Sequence, residues 1–307
     1  MELYDVIIIG GGIAGLQASI QLGRYDRRVL VVDRGLGRST RCLKYRNILG
    51  WPEGVSGKDL RQIGIEQAEA LGVTHVTENV TNVHRHSPEQ FQIATENGNT
   101  FEARRLLFAT GVSDQNPFPQ LEPCFGLSVY ICPDCDGHEV ENEPTLILGS
   151  GKAGVHMPSA FTGWTSDLTY INHEKEPIRQ QDQQKLKDLN VTYIEESILR
   201  PLVEDRQFQG VELQNGNTLE ASHAFIAFGS IDVHSDLARK LGAERMENGH
   251  LITNARTKMT NVDHIWAAGD VGVHAEQVTI AMDEGTLALF GLRNRSVNDK
   301  NRIIARL

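Results

Sequence analysis

The feature that most constrains this chain is a strand–turn–helix–strand pattern that occurs twice. Val6 to Ile9 is a short apolar run ending in Gly10-Gly11-Gly12-Ile13-Ala14-Gly15. The glycines at 10, 12 and 15 fit GxGxxG. Apolar residues then recur at helical spacing (Ile13, Leu16, Ala18, Ile20, Leu22), and a second apolar run, Val29 to Val32, ends in Asp33. This is the start of a βαβ unit. Its glycines permit a tight turn and close approach of the backbone to a pyrophosphate. The helix N-terminus offers unpaired N–H groups, and an acid at the second strand end accepts from ribose hydroxyls. The pattern returns where Thr145 to Leu148 leads into Gly149-Ser150-Gly151-Lys152-Ala153-Gly154, followed by the strand Leu168 to Ile171.

The self-similarity runs beyond the fingerprints. Asn97-Gly98-Asn99-Thr100-Phe101-Glu102-Ala103 recurs as Asn215-Gly216-Asn217-Thr218-Leu219-Glu220-Ala221, Val73-Thr74-His75 as Val191-Thr192-Tyr193, and Phe108-Ala109-Thr110-Gly111 as Ile226-Ala227-Phe228-Gly229. These three pairs are offset by 118 residues and the fingerprints by 139, so the first module carries 21 more residues ahead of Val73. The Asn-Gly pairs between apolar runs read as hairpin turns. The tail, with Asp263-His264-Ile265-Trp266-Ala267-Ala268-Gly269-Asp270 and a helical stretch from Gln277 to Leu292, has no counterpart in the second module and is expected to complete the first. The expected fold is α/β: two Rossmann-like dinucleotide-binding modules with small antiparallel sheets, the second inserted into the first. The expected domains are 1–114 with 231–307, and the insertion 115–230.

Composition narrows the function. A net charge of −10 makes a poor partner for nucleic acid or an anionic membrane surface. No apolar run reaches the length of a membrane span, and the N-terminus lacks the basic region and cleavage site of a signal peptide, so the expected location is cytoplasmic. Four cysteines in 307 residues are no disulfide framework. Two of them form Cys132-Pro133-Asp134-Cys135. Such a pair is a redox dithiol, half of a zinc site, or inert. Zinc would need a second Cys/His pair at ligand spacing, which His138 and His156 do not supply, so no metal is expected. Cys42 and Cys124 are isolated and read as packing residues.

The first GxGxxG with Asp33, Ala-Thr-Gly at 109–111, Ala-Ala-Gly-Asp at 267–270 and Cys-x-x-Cys just ahead of the second GxGxxG together resemble the low-molecular-weight, bacterial-type thioredoxin reductase family, over nearly the whole chain. The resemblance implies FAD in the split module, a nucleotide-type inserted module, and a Cys-x-x-Cys that cycles between dithiol and disulfide. Gly10, Gly12, Ala14 and Gly15 would face the FAD pyrophosphate and Asp33 its ribose. Asn47 would lie beside the isoalloxazine, and Thr110 and Gly111 along the cofactor. Gly269 and Asp270 would hold ribityl and phosphate oxygens, with Gln277 and Val278 at the flavin's pyrimidine edge. Cys135 would face the flavin, Cys132 would exchange with a substrate disulfide, and Asp136 would be the acid/base. The implied partners are a thioredoxin-like protein or a small dithiol, within a homodimer. A helix N-terminus lowers a thiol pKa, whereas Asp134 between the cysteines opposes the thiolate.

The chain departs from that family at its second nucleotide site, Gly149, Gly151 and Gly154. NADPH-using relatives carry a His-Arg-Arg stretch, and a further Arg, where this chain reads Ile171-Asn172-His173-Glu174-Lys175-Glu176, and arginine is the residue suited to a 2′-phosphate. No acid ends the strand, and Pro158 is expected to kink or shorten the fingerprint helix. The resemblance then turns toward branches without the NADPH motif: ferredoxin-dependent flavin thioredoxin reductases, diflavin-linked oxidoreductases with a second FAD, and small-molecule dithiol oxidases that use oxygen. An NADPH-dependent thioredoxin reductase and a low-turnover flavin redox sensor are the rival readings. Residues 24–46 hold Arg24, Arg27, Arg28, Arg34, Arg38, Arg41, Lys44 and Arg46 against Asp26 and Asp33, and 293–306 adds Arg293, Arg295, Lys300, Arg302 and Arg306 against Asp299. These stretches are either solvated faces that also neutralise FAD phosphates, or patches that dock an acidic protein such as ferredoxin or hold the extra phosphates of a second dinucleotide.

Overall fold

The structure, a computed structural model, describes residues 2–161, 163–229, 231–273 and 275–292. The basic stretch 293–306 lies outside the described residues. The chain forms two compact units, one of residues 1–40, 58–113 and 232–307, the other of 41–57 and 114–231.

The first unit is built on a five-stranded parallel sheet in the order Ile265–Ala267, Leu106–Phe108, Val6–Ile9, Val29–Asp33, Thr74–Thr77. Its strands read as unbroken apolar runs because both faces are covered. Ile7, Ile9, Leu30, Val32 and Phe108 point to one side, where Phe91, Ile93, Val80 and Val83 of an antiparallel sheet pack on them. Val6, Ile8, Val29, Val31 and Leu107 point to the other, against Ala14, Ala18 and Leu22 of the helix Ile13–Gly23 and Ala281 and Ala288 of the helix Val278–Leu292. The antiparallel sheet turns at Asn97-Gly98, where Gly98 has φ +81°.

The second unit repeats this plan. Its parallel sheet runs Val129–Tyr130, His223–Ala227, Thr145–Gly149, Leu168–Asn172, Thr192–Ile194. A three-stranded antiparallel sheet (Ile198–Glu204, Gln207–Leu213, Thr218–Glu220) covers one face and turns at Asn215-Gly216, with Gly216 at φ +85°. The α-helix after the second fingerprint is only Gly151–His156. It passes into a 3₁₀ stretch, Met157–Phe161, that contains the buried Pro158.

Two expectations need correction. The tail strand Ile265–Ala267 does have a counterpart: Val129–Tyr130 holds the same place in the second sheet, although it precedes its fingerprint in the chain whereas Ile265–Ala267 follows its own. Residues 41–57 also belong with the inserted unit. Leu43 N–H donates to the Phe125 carbonyl at 3.0 Å and Arg46 to the Gly126 carbonyl at 2.9 Å, while Arg41 pairs with Glu122 at 2.6 Å. Long-range pairs of this kind leave no local signal.

The two long helices of the first unit cross closely. A Cβ at Gly285 would lie 2.4 Å from the Ala14 carbonyl oxygen, a backbone atom that cannot step aside. Gly285→Ala is therefore expected to cost about 1–3 kcal/mol of stability, as overpacking does. Thermal unfolding of the variant checks this; an unchanged midpoint would show that the helices separate freely.

Candidate functional site

In the first unit the fingerprint turn is defined by its glycines. Gly10 has φ +104°, and a Cβ there would come within 2.3 Å of the Ala109 carbonyl oxygen. A Cβ at Gly15 would lie 2.0 Å from the Gly10 carbonyl oxygen. Gly12 is different. Its backbone (φ −74°, ψ −171°) suits any residue, and a Cβ there would meet nothing within 4 Å among the described residues. No protein contact demands glycine at 12, whereas a phosphate laid against the turn does. Gly111 and Gly269 are both left-handed, at φ +63° and +79°. Gly269 passes so close to Ala14 that a Cβ would lie 2.7 Å from that side chain.

Asp33 is buried at the end of its strand. Its Oδ2 accepts from Gly11 N–H at 2.7 Å, and its Oδ1 accepts from Gly35 N–H at 2.8 Å and from Arg61 at 2.5 Å. Arg61 also donates to the Gly11 and Gly35 carbonyls at 3.0 and 3.2 Å. Sequence reading missed Arg61, which lies in the helix Gly57–Glu69 at no motif spacing. Asp33 thus organises the turn first and keeps lone-pair capacity for a ribose second. Beside it, burial lowers the His75 pKa, so its ring is neutral at pH 7.

Asp270 pairs with Arg38 at 3.3 Å, and Arg38 also pairs with Glu276. Glu284 accepts from Gly269 N–H at 2.9 Å and pairs with buried Lys258 at 2.5 Å, fixing the Gly-Asp turn to the last helix. Sequence reading missed Arg38's role, Glu284 and Lys258. Gln277 accepts from Ala281 N–H just ahead of Val278, where that helix begins. Thr110 donates its hydroxyl to the His234 carbonyl at 2.6 Å. Gly10, Gly12, Ala14, Gly15, Asp33, Thr110, Gly111, Gly269, Asp270, Gln277 and Val278 therefore all fall in one unit. Asn47 does not; it is exposed on the 41–57 loop of the other. The glycine turn, the open space at Gly12 and the residual acceptors of Asp33 fit a bound dinucleotide.

In the second unit, Val129–Tyr130 leads straight to Cys132, the N-cap of the short helix Pro133–Asp136. Cys135 and Asp136 N–H groups donate to the Cys132 carbonyl at 3.2 and 3.1 Å. Cys132 and Cys135 are both half-buried. Hydrogen bonding from the Cys135 side chain holds the Cys132 thiol below the usual range, with burial, Asp136 and Asp134 opposing. Burial pushes the Asp136 carboxyl up to about 7, with Arg46 pulling it down and Glu139 pushing it further up. A nucleophilic thiol and a carboxyl that changes charge near neutrality therefore sit four residues apart. Burial also pushes the Cys42 thiol up to about 12 and raises that of Cys124, so neither is a nucleophile at pH 7. No group of metal-ligating side chains occurs among the described residues.

The second fingerprint keeps its turn, with the side chain of the exposed Glu176 resting on it. A Cβ at Gly149 would lie 2.4 Å from the Ala227 carbonyl oxygen, and one at Gly154 would strike the Tyr170 ring. Asn172 ends the strand where Asp33 does in the first module. Its Oδ1 accepts from Gly151 N–H at 3.1 Å, and its amide donates to the Glu176 carbonyl and to Tyr193. The Glu176 carboxylate lies over Gly151, with Oε2 1.9 Å from where a Cβ would be. Lys175 is turned to Glu196 at 2.6 Å, and His173 accepts from Ile198 N–H between the rings of Phe118 and Phe228.

A two-module scaffold with an intact dinucleotide turn in one unit and a redox dithiol in the other defines an FAD-dependent disulfide oxidoreductase. The chain belongs to the pyridine nucleotide-disulphide oxidoreductase family, whose model matches residues 4–285. It is 26% identical over 301 residues to the thioredoxin reductase of Listeria monocytogenes (94% of this chain, 92% of that protein). It is 28% identical over 293 residues to that of Rickettsia felis (90% and 93%). Among solved structures it is similar to HlmI, with 27% identity, a TM-score of 0.87 and coverage of 99% and 95%. No helix among the described residues is long and apolar enough to cross a membrane.

Two outcomes follow from the geometry. Gly12→Val is expected to leave the melting of the apoprotein unchanged while weakening FAD retention ~10-fold or more, and Gly10→Val to destabilise the fold itself; FAD content and apoprotein melting separate the two. For Asp136, a carboxyl raised from 3.8 to about 7 contributes its stabilisation fully below pH 3.8 and loses it as pH rises through 7. Asp136→Asn should therefore flatten the fall in stability between about pH 4 and 7, read from denaturant midpoints across that range.

Proposed function

We propose that this chain is a thiol–disulfide oxidoreductase of the thioredoxin reductase type that does not draw its electrons from NADPH. The observation that carries the reading is the Glu176 carboxylate lying over Gly151. A dinucleotide pyrophosphate would have to sit against that same turn, and like charges in one site repel. The cations that a 2′-phosphate needs are committed elsewhere: Lys175 pairs with Glu196, no arginine occupies 171–176, and the nearest in the chain, Arg179, pairs with Asp182. The same carboxylate counts against a second FAD as well as NADPH.

Gly10, Gly12, Ala14 and Gly15 would hold the FAD pyrophosphate and Asp33 the ribose. Thr110, Gly111, Gly269, Asp270, Gln277 and Val278 would border the rest, with Asn47 assigned by resemblance alone. FAD, when bound, supplies the two-electron couple that exchanges with the dithiol. The chain's own chemistry is thiol exchange. The Cys132 thiolate attacks a substrate disulfide, forming a mixed disulfide, and one substrate sulfur leaves and takes a proton from Asp136. Asp136, now a carboxylate, takes the Cys135 thiol proton; the Cys135 thiolate attacks the Cys132 sulfur, the second substrate sulfur leaves as a thiolate and takes that proton back, and a Cys132–Cys135 disulfide remains. Run backward, the same steps oxidise a substrate dithiol, with two electrons and two protons passing to the protein.

The partner we assign is a thioredoxin-like protein or a small dithiol, and the working form a homodimer. Ferredoxin is less favoured. Arg28, Arg38, Arg41 and Arg46 of the basic stretch are paired with Glu2, Asp270 and Glu276, Glu122 and Glu139, which leaves less charge for docking. A second reading, an NADPH-dependent thioredoxin reductase, is favoured by the names of the relatives. Anaerobic titration of the flavoprotein decides between them. One equivalent of NADPH should leave the flavin absorbance unchanged while excess dithiothreitol bleaches it, with one FAD per chain. Glu176→Ala should bind pyridine nucleotide about 10-fold better than the parent. Full bleaching by one equivalent of NADPH would return the chain to the second reading.

A further inference from the structure

Two carboxylates of the first unit share one arginine nitrogen. Arg38 Nη1 lies 3.3 Å from Asp270 Oδ2 and also pairs with Glu276 Oε2. All three side chains are about four-fifths buried, with 21%, 18% and 19% of their surface exposed. Arg38 opens the short helix Arg38–Arg41, Asp270 follows the left-handed Gly269, and Glu276 stands just ahead of the helix Val278–Leu292. Gly269 joins this triad to the fingerprint, since a Cβ there would lie 2.7 Å from the Ala14 side chain. The triad is therefore next to the turn whose open space at Gly12 fits a phosphate.

The charges at that turn do not balance. Asp33 is matched by Arg61, but Arg38, Asp270 and Glu276 together leave one negative charge in excess. A dianionic pyrophosphate brought there meets repulsion from the carboxylates, and a guanidinium is the group best shaped to offset it. In the basic stretch, Arg28, Arg41 and Arg46 turn to Glu2, Glu122 and Glu139, away from the Gly-Asp turn; Arg38 is bonded to it. Asp270 belongs to a motif that reads as cofactor-binding. Glu276 belongs to none, and its oxygens face Arg38 and His250, the latter with Nε2 3.5 Å from Oε1. We infer that Arg38 is a cation the first unit offers to the FAD phosphates, and that Glu276 competes with them for it and so sets how tightly the cofactor is held. The inference rests on reading the glycine turn and Asp270 as the FAD site.

The test is the affinity for FAD itself. Protein stripped of its flavin is titrated with FAD, following the quenching of FAD fluorescence, at low and high KCl. A buffer of about pH 8.5, above the range in which imidazoles ordinarily titrate, is used throughout. Glu276→Gln should lower the Kd about 5-fold, because the nitrogen it holds is released to the phosphates. Arg38→Gln should raise the Kd about 10-fold or more, since it leaves Asp270 and Glu276 facing each other and the cofactor without a counter-charge. Arg38→Lys, which keeps the charge, should stay within about 3-fold of the parent. The double variant Arg38→Gln/Glu276→Gln should bind between the parent and Arg38→Gln. KCl should weaken binding by the parent more than binding by Arg38→Gln. A merely structural triad loosens FAD whichever member is removed, so a Glu276→Gln protein that binds FAD no tighter than the parent overturns the inference. Should Arg38→Gln not fold, Glu276→Gln and Arg38→Lys carry the comparison. If Gly12→Val leaves the Kd unchanged, the reading of this turn as the FAD site fails; if it weakens binding and Glu276→Gln does not tighten it, the inference alone fails.

Discussion

One side chain at the end of the second strand of each module holds the fingerprint turn in place, and what each module can bind depends on it. Asp33 accepts from Gly11 N–H and Asn172 from Gly151 N–H. The two residues lie 139 apart, the same offset as the fingerprints. Buried backbone donors must be paired, so some acceptor is required at this position. In the first module the acceptor is an anion, and buried Arg61 balances it while tying down Gly11 and Gly35. In the second it is a neutral amide that needs no arginine. There the anion has moved to Glu176 and sits on the turn itself. Two modules of one plan thus differ in where the negative charge lies. The first leaves the space at Gly12 open, and the second covers Gly151.

Much of the fold is legible in the sequence because its signals are local. Unbroken apolar runs of four or five residues mark strands buried on both faces, and each Asn-Gly falls in a hairpin with its glycine left-handed. Pro158 lies where the second fingerprint helix gives way to a 3₁₀ stretch. What the sequence hides is set by distant partners. Residues 41–57 carry no mark that they belong with the inserted unit, since the bonds that bring them there end at Glu122, Phe125, Gly126 and Glu139. The two-residue strand Val129–Tyr130 is too short for periodicity to find.

The same holds for the sites. The glycines, Asp33 and the Cys-x-x-Cys stand out by spacing, and the opposition of Asp134 to the Cys132 thiolate follows from charge alone. That Lys175 turns to Glu196 while Glu176 turns to the fingerprint is not readable from a run of alternating charges. Arg61 and Glu284 carry no sequence signal, and Arg38 shows only as one member of a basic stretch. Each bonds a residue that a motif does reveal (Asp33, Gly269 and Asp270), from an element that no motif includes.

The shared plan also ties the dithiol to the second nucleotide-type sheet. In the first sheet the strand Ile265–Ala267 delivers the Gly269-Asp270 turn; in the second, Val129–Tyr130 occupies the same position and delivers Cys132. The dithiol is therefore an extension of the nucleotide-binding sheet and not an appendage to it. Tyr130, Phe225 and Phe161 pack as one aromatic cluster beneath that strand, so its position depends on the core of the whole unit.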